Sequence, residues 1–319
     1  MQKSYEKINY ALRPAKNIER RMFCEVFRRL IEFGRLDSYR YIGFGSTFFT
    51  DFSLFHKSLG ISNCVSIERE EEDKDRFEFN KPYKCINIVF GESNSVLPQL
   101  PWDARTIIWL DYDYKLNQGV LTDIAFVCSE AISGSVIIVT VDAKPLEDID
   151  QRLEELKSRV GDEKIPHELH EPETSGVLLA DWGTADFSRQ IISNEINSII
   201  NTRNGLRQPG SKFLYRQLFN FHYADGAKML TVGGIIYDEG QSHLLAKCGF
   251  DQLEFVKTCE EPYTIEVPNL TIREIHHLDK QLPSENLSGI DSRSIPERDI
   301  RTYAKVYRYF PAFVEAEIG

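Results

Sequence analysis

Residues 40–52 read "RYIGFGSTFFTDF". A short β-like run ends in two glycines one residue apart, followed by Ser46-Thr47 and an aromatic pair. Two readings compete: a tight turn without chemistry, or a strand ending beneath a bound nucleotide. Gly43 and Gly45 permit a sharp turn and a close approach of backbone to ligand, because neither carries a Cβ. Ser46 and Thr47 add hydroxyls and an N-cap for the next helix. A plain turn explains one glycine better than two. G-x-G alone is weak evidence, so the flanking chain must decide.

Before this stretch, residues 14–36 place Ile18, Met22, Val26, Leu30 and Phe33 at helical spacing, with Pro14 at the start and Gly34 at the end. After it, the chain alternates. Helical segments at 51–60, "REEEDKDRFEFN", 117–132 and "PLEDIDQRLEELKSRV" separate the strand-like runs "CVSIE", "CINIVF", "TIIWLDYDY" and "SVIIVTVDA". In the last of these helices Leu146, Ile149, Leu153 and Leu156 share one side. Strands alternating with helices predict an α/β, doubly wound, mostly parallel sheet covered on both faces. The unbroken apolar strands fit burial on both sides. Residues 160–182 are polar and read as an insertion or lid, and 183–203 regain helical periodicity. "FLYRQLFNFHY" and "KMLTVGGIIYDE" flank "ADGA", a hairpin signal, so the sheet is expected to end in an antiparallel hairpin. The division expected is an N-terminal helical arm over 1–37, a core over 38–240 and a C-terminal appendage over 241–319.

The 319 residues carry a net charge of −11, which argues against general nucleic-acid binding. The first 40 residues hold ten Lys/Arg against five Asp/Glu, leaving the remainder at −16. The favoured reading of that basic arm is a solvated helix face; the other is a surface that meets an anionic group. Six cysteines without a C-x-x-C pair suit a reducing cytoplasm, and Cys64, Cys85 and Cys128 lie in apolar runs as small buried residues. "MQKSYEKINY" does not resemble a signal peptide, and no run reaches the length of a membrane span.

The strand ends carry the functional signal. "CVSIE" ends in Glu68, 25 residues after Gly43, where a carboxylate can accept both hydroxyls of a ribose. The third strand ends in "FGESNSVLP", so Glu92 or Ser93 can reach an adenine amine. The fourth ends in "LDYDY". A dinucleotide fold prefers a third glycine where Phe48 stands, and a large aromatic there would crowd a pyrophosphate. No G-x-x-x-x-G-K-[ST] loop is present.

In order and spacing, "YIGFGSTFF", "VSIERE", "VFGESNSVLP", "IWLDYDY" and "FNFHYADGAKMLTVGGIIY" resemble the class I S-adenosylmethionine-dependent methyltransferases over about residues 38–238. With the "LRPAK" helix ahead of a G-F-G-S loop, the ensemble is similar to bacterial proteins labelled putative O-methyltransferases. The resemblance implies a Rossmann-like fold, S-adenosylmethionine as cofactor, and a small-molecule or macromolecular methyl acceptor. It also implies that Gly43, Gly45 and Ser46 line the methionine moiety, Glu68 holds the ribose, Glu92 or Ser93 meets the adenine, and Asp111 lies beside the sulfonium, with Thr47 and Arg69 as further cofactor-binding candidates. This chain departs from the pattern at Tyr39-Arg40-Tyr41, where the first motif usually has an acidic residue. A homo-oligomer is compatible with the resemblance, and so is a non-catalytic cofactor-binding sensor.

Methyl transfer needs alignment and, for a weakly acidic hydroxyl, a base. Asp111 and Asp113 are the candidate catalytic carboxylates. With Asp142 they could instead hold a divalent ion, the less favoured alternative because the sequence after the fifth strand is "VDAK". Lys115, Lys144 and His222 are other candidate bases, and His276-His277 read as surface residues. Arg13, Lys16, Tyr112 and Trp182 are candidate substrate contacts.

Overall fold

The apolar runs assemble into one eight-stranded sheet in a computed structural model that describes residues 13–311, the side chains of Pro172 and Glu173 excepted. Its strands are β1 (Arg40–Gly43), β2 (Asn63–Glu68), β3 (Ile86–Phe90), β4 (Thr106–Lys115), β5 (Ser135–Asp142), β6 (Phe213–Ala224), β7 (Lys228–Asp238) and β8 (Tyr263–Ile265). The order is β3-β2-β1-β4-β5-β7-β6-β8. The first five run parallel, and β7 is antiparallel to both β5 and β6. The order reverses between β1 and β4, the switch point at which open α/β sheets bind ligands.

The hairpin is not the end of the sheet. β8 pairs parallel with β6 through Phe221↔Tyr263, so the C-terminal region supplies the edge strand. Three residues at the end of a polar stretch carry no alternation strong enough to show in the sequence. Residues 1–12 of the expected arm and 312–319 of the expected appendage lie outside the described residues.

Two apolar layers flank the sheet. Helices α1 (Pro14–Arg29) and α2 (Thr50–Leu59) cover one face, with Phe23 edge-on to Trp109 at 4.9 Å. The short helices α3 (Lys74–Asn80) and α4 (Ser93–Val96) flank the ends of β2 and β3. Helices α5 (Gln118–Glu130), α6 (Arg152–Val160) and, after the short α7 (Pro172–Leu178) beside α6, α8 (Gly183–Arg203) serve the other layer. A satellite cluster around Leu278, Ile300 and Tyr303 holds the C-terminal helices together.

Helix α1 corrects one expectation. It stops at Arg29 and continues as a 3-10 turn over Leu30–Glu32. Its charged face is not simply solvated: Arg21 and Arg28 are exposed, but Lys16, Glu19 and Arg20 are buried. The first turn is held by Asp225 in the β6–β7 turn, whose carboxylate accepts from the backbone N–H groups of Ala15 (3.4 Å) and Lys16 (3.0 Å). Those donors have no partner within the helix, and a carboxylate there also complements the helix dipole. The helix expected from Pro145 is shorter too. It begins at Arg152, and Ile149 is about half exposed on the preceding 3-10 turn. All six cysteines are free, with Cys85 only half-buried beside His56. No helix among the described residues is long and apolar enough to cross a membrane.

Candidate active site

The opening loop is built on contacts between protein groups. A Cβ on Gly43 would stand 2.6 Å from the Tyr41 hydroxyl, and one on Gly45 would stand 2.5 Å from Ser66 Oγ and 2.6 Å from the Phe49 ring. The Gly45 N–H donates to Glu68 Oε1 (2.9 Å) and Ser66 Oγ (3.0 Å). Each glycine therefore admits a neighbouring side chain, and the second ties the β1 exit to the end of β2. Ser46 (φ 48°) and Phe49 (φ 46°) adopt the left-handed conformation. For residues with a Cβ this costs about 1 kcal/mol or more each, and such strain gathers at ligand sites.

Above this loop lies a hollow with about 910 Å³ of space between protein atoms, its open mouth included. Gly45, Glu68 and Glu92, from the ends of three different strands, line it together. So do Ser46, Arg69, Ser93, Asp111, Tyr112 and Asp113. Gly43, Thr47, Arg13, Lys16 and Trp182 do not line it. The β4–β5 pairing shifts register between Asp111 and Lys115, which frees the "DYDY" edge to face the hollow.

Several groups are already committed. Ser93 Oγ and Tyr112 OH both donate to Asp123 Oδ2 on α5, which positions the two side chains and uses their hydroxyl protons. Lys16 lies under the hollow, 2% exposed. Its Nζ donates to Asp111 Oδ1 (2.7 Å) and Tyr223 OH (2.9 Å), and sits 3.1 Å from Glu19 and 4.3 Å from the Trp109 ring centre. Burial pushes the Glu19 carboxyl up, against the pull of Lys16. Lys115 is paired with Glu155 at 2.9 Å. Asp142 accepts the Lys144 N–H at 2.8 Å. Among the described residues no group of three His, Cys, Asp or Glu is placed to hold a metal ion.

Glu68 is the most distinctive carboxyl. Oε1 accepts from Gly45 N and from Ser66 Oγ (2.6 Å). Burial pushes its pKa up to about 7, only partly opposed by those hydrogen bonds. Arg20 and Asp51 also line the hollow, and the sequence reading missed both. Asp51 accepts from Tyr41 OH. Burial raises its carboxyl, and the Arg20 guanidinium acts in the opposite direction. The signal for Arg20 was the charged helix itself, but only packing shows which face of that helix turns inward. In all, six carboxyl side chains and two guanidinium groups line the hollow.

His222 lines neither this hollow nor the second one described below. It stacks on Trp182 with ring centres 4.6 Å apart, and burial pushes its pKa down to about 4. His277 lies on the C-terminal helix α10, after the short α9 (Ser242–Lys247), and contacts the Asp291 carbonyl at 2.6 Å. α10 spans Ile272–Asp279.

The sequence profile of a family described as "Putative O-methyltransferase" matches residues 8–318. No curated protein matches the chain significantly. Among solved structures, the chain is similar to Trm1 from Pyrococcus horikoshii in complex with S-adenosyl-L-methionine. That likeness has 10% identity, TM-score 0.46, 75% of this chain and 58% of the other. An O-methyltransferase from Bacillus cereus with S-adenosylhomocysteine aligns at 12% identity and TM-score 0.35, over 67% and 80% of the two chains. The O-methyltransferase TomG from Streptomyces achromogenes, in complex with S-adenosylmethionine, aligns at 11% identity and TM-score 0.36, over 67% and 79%. The profile spans nearly the whole chain, so this chain belongs to that O-methyltransferase family.

Proposed function

We propose that the hollow at the β1–β4 switch point binds S-adenosylmethionine and that methyl passes to an oxygen of the acceptor. One observation carries the reading: a single cavity gathers the ends of β1, β2, β3 and β4, and its lining has six carboxyls against two guanidinium groups. That excess suits a sulfonium cation and opposes the pyrophosphate of a dinucleotide. Glu68 receives the ribose hydroxyls, and Glu92 lies at the adenine end beside Gly91. Arg20 meets the cofactor carboxylate, and Asp51 and Asp111 face its amino group and sulfonium. The buried Lys16 holds Asp111 by one oxygen.

Bound in this hollow, S-adenosylmethionine would supply an electrophilic methyl group for the acceptor oxygen, with a neutral thioether as the leaving group. The hydroxyl proton passes to Asp113, the exposed carboxylate of the "DYDY" edge, since Asp111 is engaged by Lys16. Residues 38–240 form the catalytic core in this reading, the arm over 1–37 supplies Lys16 and Arg20, and the described C-terminal residues add the edge strand β8 and a flanking helical cluster. The free thiols fit a cytoplasmic setting. Isothermal titration with S-adenosylmethionine, S-adenosylhomocysteine and NAD tests the reading. Micromolar binding of the first two and none of the third is expected; binding of NAD alone would overturn it.

A further inference from the structure

A second hollow, with about 790 Å³ of space on the same measure, opens beside the first. It lies at the carboxyl end of β5 and the β6–β7 turn, between Lys144–Glu147 on one side and Ala224 with Gly226, Ala227 and Lys228 on the other. The two hollows are one strand apart, because Lys115 at the end of β4 pairs with Asp142 at the end of β5. Lys16 is buried beneath this edge: its ammonium touches Asp111, which lines the first hollow, and Tyr223, which lines neither.

The charge bias reverses between these neighbours. Lys144, Arg152 and Lys228 line the second hollow against Glu147 alone. The Arg152 guanidinium donates to the carbonyls of Leu146, Glu147 and Gly176 and so shapes the rim. Lys228 is paired with Asp181 and lies 4.9 Å from the Trp182 ring centre. Lys144 is exposed, and its ammonium has no partner among the described residues. Pro145, Leu146, Ala224 and Ala227 supply an apolar wall. A compact apolar wall with one uncommitted ammonium suits a ligand that has a flat body and a negative end.

We propose that this second hollow seats the methyl acceptor, a hydroxylated organic anion whose carboxylate or phosphate meets Lys144 while its hydroxyl points along the β4–β5 edge toward Asp111 and Asp113. The assignment rests on the reading of the first hollow as the cofactor site. An acidic pocket for the cationic cofactor beside a basic one for an anionic acceptor would keep each ligand from occupying the other's place.

The test uses the full chain with S-adenosylhomocysteine present and four phenolic probes: 4-hydroxybenzoate, 4-hydroxyphenyl phosphate, 4-hydroxybenzamide and 4-hydroxybenzylamine. Dissociation constants are read by ligand-observed NMR titration. At least one of the two anions should bind tenfold or more tighter than the amide and the amine, and which anion wins distinguishes carboxylate from phosphate. Lys144→Gln should weaken that anion at least fivefold and Lys144→Glu further, with S-adenosylhomocysteine affinity within twofold of the parent. Equal binding of all four probes, no binding of either anion, or no effect of the Lys144 variants overturns the acceptor assignment. Failure of the parent chain to bind S-adenosylhomocysteine overturns the cofactor reading instead, and the acceptor assignment with it.

Discussion

Lys16 Nζ and Asp111 Oδ1 lie 2.7 Å apart, although the residues are 95 positions apart in the chain. The ammonium is 2% exposed and also contacts Glu19 and Tyr223, so two carboxyl groups share one lysine beneath the first hollow. Removing one partner of such a buried group leaves uncompensated charge. Lys16→Met should therefore destabilise the fold by about 3–5 kcal/mol in urea titrations. Adding Asp111→Asn should recover part of that loss. A lysine variant as stable as the parent would show that the pair contributes nothing.

Glu68 links pH to both stability and binding. Its folded-state pKa of about 7 lies above the ordinary glutamate value of 4.5, so the folded state is favoured when the carboxyl is protonated. That contribution is complete below pH 4.5 and is lost as pH rises through 7. Glu68→Gln should thus raise stability at pH 8 by up to about 3 kcal/mol, measured by denaturant unfolding. Cofactor binding should move the other way, because ribose hydroxyls donate to the ionised form. Parent affinity should rise about tenfold from pH 6 to pH 8, and the Gln variant should bind weakly with a flat profile.

Gly45 tolerates no side chain. An added Cβ would stand 2.5 Å from Ser66 Oγ and 2.6 Å from Phe49. Gly45→Ala should cost about 1–3 kcal/mol by overpacking and displace the N–H that holds Glu68. Thermal unfolding and cofactor titration should both register the change.

His222 is held neutral. Its pKa near 4 lies below the ordinary 6.5, so its stabilising contribution is present above pH 6.5 and is lost as pH falls through 4. His222→Phe should keep the stacking on Trp182 and flatten the loss of stability between pH 6.5 and 4. A parent-like acid limb in this variant would assign the effect to other groups.

Asp113 is the proposed proton acceptor. Asp113→Asn should lower kcat about 100-fold or more with a weakly acidic alcohol or phenol acceptor. The cofactor dissociation constant should be unchanged, and the loss should be smaller with acceptors already ionised at the assay pH. An equal loss for both acceptor types would indicate a positioning role.

The βα alternation was readable because buried parallel strands demand unbroken apolar runs, as "TIIWL" and "SVIIVTV" show, and because helix 183–203 kept its period over its full length. Local chemistry also marked the strand ends, where Gly45, Glu68 and Glu92 converge. The start of α6 was misjudged because Ile149 follows the helical repeat yet sits on a 3-10 turn, exposed. β8 stayed hidden because three residues give too little alternation, and its pairing is decided by the free edge of β6.

The order of motifs along the chain determined the fold class and carried the resemblance that implies the cofactor, since both depend on short-range patterns of apolar runs, turns and strand-end carboxyls. The tertiary structure alone decided that Lys16 and Arg20 point inward, that Ser93 and Tyr112 spend their hydroxyl protons on Asp123, and that two hollows of opposite charge lie side by side. Such relationships join residues tens to hundreds of positions apart. Which carboxyl finds which ammonium depends on the sheet order and the packing of α1, which no local pattern encodes.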